Sequence, residues 1–206
     1  MNTMAGLYDS TLGKKILMAA TGAFLCVFVL GHMAGNMLLY VGPEALNAYG
    51  HKLQNSGALL WVFRLVMLVV VGVHVVASVQ LWLRNRSSRP VKYRVFHPPA
   101  VDYAARTMVW SGPIILLFIL YHLAHFTVGT AHHDFVRGDV YHNVVSSFQI
   151  PWVAGIYIVA NVLLAVHLYH GVWSAIQTAG WDHPRFGRFR RWLAVGFAGV
   201  IGVGNV

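Results

Sequence analysis

The sequence predicts an all-α integral membrane protein, a single transmembrane domain over residues 1–206, with five transmembrane helices of which four form a central bundle. Three observations predict it. The chain is 57% hydrophobic and only 10% charged, with a mean hydropathy of +0.59, whereas soluble domains carry roughly 25% charged residues. Apolar stretches stand at about residues 16–40, 58–83, 107–129, 151–178 and 192–206, against the ~20 residues a helix needs to cross a bilayer. The basic residues between them alternate from one connection to the next.

The first stretch has Lys14 and Lys15 at its entrance, which gives it a likeness to a secretory leader. At about 25 apolar residues, with no small-residue cleavage motif closing the run, it reads as a retained helix. It contains Cys26, the single cysteine, so an intrachain disulfide and a thiolate metal site are both excluded. The second and fourth stretches are uninterrupted. The third contains Gly112-Pro113, where the missing amide hydrogen should bend the helix. The fifth, at about 15 residues, is short of a full crossing. Tyr40, Trp61, Trp82, Trp110, Trp152 and Trp192 lie near the ends of the stretches and read as an interfacial aromatic belt.

A net charge of +9 and a pI near 10.1 would suit a nucleic-acid binder, but the placement of the charge excludes that reading. Lys14, Lys15, Arg84, Arg86, Arg89, Lys92, Arg94, Arg106, Arg185, Arg188, Arg190 and Arg191 fall at the N-terminus and in the second and fourth connections. The first and third connections carry only Lys52 and Arg137, beside Glu44, Asp134 and Asp139. This alternation puts the N-terminus and the basic connections in the cytoplasm. Five crossings would leave the C-terminus outside.

His32, His74, His122 and His167 each sit inside a different apolar stretch. An imidazole in hydrocarbon needs a neighbour, a proton path or a metal. At ~1.5 Å rise per residue, His32 and His122 lie about 6 Å outward of their midpoints. His74 and His167, on helices running the other way, lie about three residues inward of theirs. The four therefore sort into an outer pair, His32 with His122, and an inner pair, His74 with His167, roughly 10 Å apart along the membrane normal. Two bis-histidine haems stacked across the membrane need this arrangement. Histidines hydrogen-bonded across the bundle are the other reading. A zinc or iron transport site would bring carboxylates or thiolates to the midplane, and these stretches contain no Asp or Glu.

An internal echo selects among competing histidines. Thr21-Gly22 precedes His32 by the same nine-residue interval as Ser111-Gly112 precedes His122, and Val73-His74 matches Val166-His167. His125 and His170 lie three residues beyond His122 and His167, ~60° around the helix, too far to reach the same iron without a distorted backbone. They would meet propionates, quinone or water, or bond a backbone carbonyl at the interface. Thr21 and Ser111 stand about three turns before their histidines on nearly the same face, beside the inner pair; the alternative is a bond to their own helix. Arg64 could pair with an outer propionate or snorkel to headgroups.

Beyond these local readings, the chain resembles the di-haem cytochrome b membrane subunits of succinate:quinone oxidoreductases and quinol:fumarate reductases. The resemblance is carried by Ala20-Thr21-Gly22 with Gly31-His32-Met33, by Gly42-Pro43-Glu44-Ala45-Leu46-Asn47 followed by His51, and by His167-Leu168-Tyr169-His170-Gly171-Val172-Trp173-Ser174. It implies two b haems, with His32 and His122 as axial ligands of the outer one and His74 and His167 of the inner. It also implies a flavoprotein and an iron–sulfur subunit on the cytoplasmic side of a bacterial membrane. FAD and the iron–sulfur clusters would lie on those partners, since no segment here carries a flavin fingerprint or cysteine cluster. The chain would then be the electron-transfer and quinone-reactive subunit of succinate dehydrogenase, not catalytic alone, with menaquinone the quinone the family suggests. A higher oligomer of the complex is compatible with this. The resemblance places Glu44 and His51 near the outer haem, where a carboxylate could accept protons from a quinol; a solvated loop acid is the alternative. The basic connections would dock the partners, or set topology and meet anionic lipid. Another respiratory di-haem cytochrome, of a hydrogenase or formate dehydrogenase, or a haem-free anchor or transporter remains open.

Overall fold

The computed structural model describes residues 8–88, 103–181 and 183–205. Among them every regular element is a helix, with no strand. Helix α1 (Thr11–Asn36) begins where the Ser10 hydroxyl caps the Gly13 amide at 2.8 Å and runs into a 3₁₀ turn, Met37–Tyr40. Short α2 (Pro43–Gln54) starts on Pro43, whose missing amide hydrogen costs nothing in a first turn. Helix α3 (Ala58–Ser87) follows. Helix α4 (Tyr103–His122) runs continuously through Pro113 and passes directly into a π-helical turn, Leu123–Val128. Asp139 caps short α5 (Val140–Phe148) at the His142 amide. Helix α6 (Pro151–Thr178) closes at Gly180, φ +84°, with Gly180 N bonded to Gln177 O and Trp181 N to Ile176 O, the paired bonds by which a left-handed glycine satisfies the last carbonyls. A 3₁₀ turn, Pro184–Phe186, leads to α7 (Gly187–Gly204).

Among the described residues four helices are long and apolar enough to cross a membrane: Thr11–Tyr40, Ala58–Ser87, Arg106–Val128 and Pro151–Thr178. The first extends beyond the apolar stretch read from sequence at its start and the second at its end, because α-helical hydrogen bonding does not stop where hydropathy falls; the third agrees within a residue at each end and the fourth coincides. The expected fifth crossing is a helix of 18 residues whose start carries Arg188, Arg190 and Arg191, so it is not among the four. Arg89, Lys92 and Arg94 lie outside the described residues.

The apolar core is built between α1, α6 and α7. Leu168, Ala198 and Ile201 are buried, with Cys26, Val29, Met33, Leu164, Tyr169 and Phe197 packed against them. Small residues bring α6 and α7 close, and a methyl built on Gly202 would lie 3.0 Å from Ala165 Cβ; in lipid, such approach replaces the hydrophobic force that water would supply. Helix α3 packs on α1, α4 packs on α6, and α1 packs on α6. Tyr40, Trp61, Trp82, Trp110, Trp152 and Trp192 are all exposed on the exterior, as an interfacial belt requires.

Candidate functional site

The four histidines meet in the interior as two facing pairs. The His32 and His122 rings lie 5.8 Å apart between centroids at an interplanar angle of 82°, and the His74 and His167 rings lie 6.5 Å apart at 62°. Neither pair of helices involved, α1 with α4 or α3 with α6, is among the closely packed pairs. The imidazoles therefore reach across a gap between backbones that stand apart. With metal–nitrogen bonds of about 2 Å, two imidazoles on opposite sides of one metal stand roughly 6–6.5 Å apart between centroids. Two facing imidazoles leave the remaining coordination positions of a metal to another donor set. Among the described residues no group of three or more His, Cys, Asp or Glu is gathered that could supply one. The donor chemistry fits a flat macrocycle that brings its own equatorial nitrogens.

Hydroxyl groups stand behind three of the four rings. Thr21 Oγ1 lies 3.1 Å from His74 Nδ1 and within reach of the carbonyls of Leu17, at 2.8 Å, and Met18, at 3.1 Å. The hydroxyl donates to its own helix, so its oxygen accepts from His74 Nδ1–H and leaves Nε2 free to bind. Both sequence readings of Thr21 hold at once. Ser111 Oγ lies 3.4 Å from His167 Nδ1, the mirror arrangement, with Ser111 buried. Gly22 opens space for the inner pair: a methyl there would stand 3.3 Å from His74 Cε1. At the outer pair His122 Nδ1 lies 3.3 Å from the Tyr157 hydroxyl, and His32 stacks on Phe28 at 5.6 Å and 9°. Hydroxyls that fix a ligand's tautomer and ring orientation are what a metal-binding histidine needs behind it.

The ring facing His32 is that of His122, not His125, and the ring facing His74 is that of His167, not the half-buried His170. The π turn explains the first choice. Its wider winding turns His125 away from the pair, and His125 is buried against Tyr157, at 3.0 Å from the hydroxyl, and Ser147, at 3.2 Å. The backbone is distorted at this point, as ligation by both histidines would have needed, but it parts them.

Other expected residues lie elsewhere. Glu44 is exposed in the first turn of α2, where its charge suits the helix dipole. His51 is exposed in the last turn of the same helix, beside Gly138. Among the described residues neither is bonded to the histidine pairs. Arg64 is exposed, with its guanidinium over the Trp61 ring at 5.0 Å. On the basic side, Lys14 is buried, donates to Gln80 Oε1 at 2.6 Å and sits over the Tyr8 ring. Arg190 is buried against Trp173. Neither is displayed on the surface; Lys15, Arg86, Arg106, Arg185, Arg188 and Arg191 are exposed.

Sequence reasoning missed the cap at the His32–His122 end of the bundle. Helices α2 and α5 pack together there, tied by Asn47 Nδ2 to Asp139 Oδ1 and by the Tyr141 amide to Asn47 Oδ1, both 2.9 Å. The His142 amide and the Asn47 side chain, both donating to it, hold the Asp139 carboxyl below its ordinary value. The amphipathic period of residues 140–148 was the available signal. Tyr157, Ser147 and His132 had none, being isolated polar residues that only folding gathers.

No family model, curated protein or solved structure matches this chain.

Proposed function

We propose that this chain is the membrane subunit of a succinate:quinone oxidoreductase, holding two b haems, the outer between His32 and His122 and the inner between His74 and His167. One observation carries the reading: two facing imidazole pairs at near-equal ring separations, with hydroxyls positioned to direct Nε2 inward at His74, His167 and His122. Haem, when bound, supplies one-electron redox chemistry. The chain's own residues hold it, orient the ligands and exclude water. Thr21, Ser111 and Tyr157 fix the tautomers, and the apolar faces of the four bundle helices keep the space between them dry.

In this reading the N-terminus and basic connections face the cytoplasm of a bacterial cell. A flavoprotein and an iron–sulfur subunit dock there against Lys15, Arg86, Arg106, Arg185, Arg188 and Arg191. The pairs lie in series from that face outward, giving electrons a path between the partners and a membrane quinone, menaquinone by the family resemblance. Quinone chemistry exchanges two protons with its two electrons, and Glu44 and His51 on α2 are among the chain's acid–base groups on the outer side.

The test is purification of the complex with its partners, followed by an optical spectrum and haem count. A b-type reduced spectrum with two haems per chain and a co-purifying flavoprotein is the expected result. His32→Ala or His122→Ala should remove one haem, and His74→Ala or His167→Ala the other. A haem-free preparation, or a nickel or molybdenum subunit in place of the flavoprotein, would overturn the proposal.

A further inference from the structure

The two facing pairs differ in what lies behind them. At the inner pair the supporting hydroxyls are single aliphatic groups, and Thr21 hands its proton to a carbonyl of its own helix within one turn. At the outer pair the supporting hydroxyl belongs to Tyr157, and it opens a chain. Tyr157 Oη lies 3.3 Å from His122 Nδ1 and 3.0 Å from His125 Nδ1. His125 Nε2 lies 3.2 Å from Ser147 Oγ, which lies 2.7 Å from His132 Nε2. Tyr157, His125, Ser147 and His132 are each at least nine-tenths buried, so these polar atoms depend on one another.

The two ends of the chain favour one direction for the bonds between them. At the far end the backbone amide of Asp134 donates to His132 Nδ1 at 3.0 Å. A neutral His132 therefore carries its proton on Nε2, from which it donates to the Asn143 carbonyl, at 2.9 Å, and to Ser147. At the near end, a His122 that binds metal through Nε2 carries its proton on Nδ1 and donates to Tyr157 Oη. The single Tyr157 proton then passes to His125 Nδ1. His125 carries its own on Nε2 and donates to Ser147 Oγ. The two sequences of donors meet at that oxygen, whose two lone pairs accept both. The one His132 Nε2 proton is shared between Ser147 Oγ and the Asn143 carbonyl.

We infer that Tyr157 is a positioning residue for the outer centre, and that the chain through His125, Ser147 and His132 sets it apart electronically from the inner one. This rests on the reading of the facing pairs as haem sites. A phenol polarised by a donor chain behind it is a strong acceptor for His122 Nδ1–H. Pulling on that proton makes the imidazole a better donor to a metal and favours the oxidised state. The π turn is what allows this, because it directs His125 to the chain while His122 points at His32.

The test is potentiometry of the intact complex, following the reduced spectrum of the two haems, with the outer component identified by its loss in His32→Ala. In Tyr157→Phe the outer component should shift to higher potential, by about tenfold in the reduced-to-oxidised ratio at fixed applied potential, which is ~59 mV for a one-electron couple. The inner component should stay in place. Ser147→Ala, which touches neither histidine pair, should move the outer component the same way by less, and it decides the matter if Tyr157→Phe fails to retain the outer haem. An outer component that stays put in Ser147→Ala and in a haem-replete Tyr157→Phe would overturn the inference while leaving the haem sites standing, as would equal shifts of both components. A complex without haem would overturn the haem reading itself, and this inference with it.

Discussion

On the haem reading proposed above, Thr21→Val tests the inner site most sharply, because the substitution keeps the shape of the side chain and removes only the oxygen. That oxygen lies 3.1 Å from His74 Nδ1. Without it the Nδ1–H loses its acceptor inside the bundle, and a buried donor left unpaired costs about 1–3 kcal/mol. The loss expected for removing a hydrogen-bond partner from a metal-binding histidine, ~10–100-fold in affinity, covers nearly the same range. The lower end of that range, roughly tenfold weaker retention of the haem proposed there, is expected.

The assay is the rate of haem loss from the purified complex to a haem-scavenging protein, resolved into two components. Thr21→Val should speed one component and leave the other unchanged, and Thr21→Ser should restore it. Ser111→Ala should speed the same component by less, since its contact with His167 is longer, at 3.4 Å. Equal loss of both haems in Thr21→Val, or unaltered retention of both, would refute the reasoning.

Gly22→Ala should weaken inner-haem retention further than its small volume suggests. A methyl there stands 3.3 Å from His74 Cε1, so the ring must shift by a few tenths of an ångström; Gly22→Leu should abolish the site, as read by haem content. Gly129→Ala should lower thermal stability by ~2 kcal/mol or more, since Gly129 has φ +84° and a methyl there would lie 2.5 Å from the Phe135 ring; an unchanged melting temperature would contradict this. Asp139→Ala removes the cap of α5 and the tether to Asn47, at a cost of ~1–2 kcal/mol, and should open the outer connection to protease. Because the Asp139 carboxyl is held below its ordinary value, its contribution is complete at neutral pH and above the ordinary value. It is lost only as pH falls through the lower, folded value. Hydrogen exchange in α5 should therefore rise below about pH 4, and a rise already under way at neutral pH would contradict the assignment.

Much of the site was legible because hydrocarbon leaves few alternatives. A histidine inside an apolar stretch stands out, and helical rise alone placed His32 opposite His122 and His74 opposite His167. The same arithmetic put Thr21 and Ser111 beside the inner pair. What escaped was whatever depends on departures from that regular geometry. The π turn at Leu123–Val128 changes which way His125 points, and nothing in its composition distinguishes it from an α-helix. Short α2 and α5 read as connections, since neither is long enough to register as a crossing. Lys14 was counted with the basic residues that orient the chain, and its long alkyl stem turns the ammonium inward to Gln80 and the Tyr8 ring. The crossing expected at 192–206 became a helix with arginines at its start, because the chain turns helical at Gly187, before the apolar stretch begins.

The arrangement of helices gives the two pairs a mechanical consequence. Helices α1, α6 and α7 share the apolar core, while α3 leans on α1 and α4 leans on α6. The hydroxyl contacts follow these neighbours: Thr21 of α1 meets His74 of α3, and Ser111 of α4 meets His167 of α6. The facing histidines run crosswise instead. His32 and His122 join α1 to α4, and His74 and His167 join α6 to α3. Each pair thus links one core helix to the leaning helix that rests on the other. Anything held between the rings braces a helix that otherwise packs on a single neighbour of the bundle, and its binding energy adds to the stability of the whole. Fixing α3 and α4 in this way also fixes the Thr21 and Ser111 contacts, so the inner pair's support improves as both gaps are bridged.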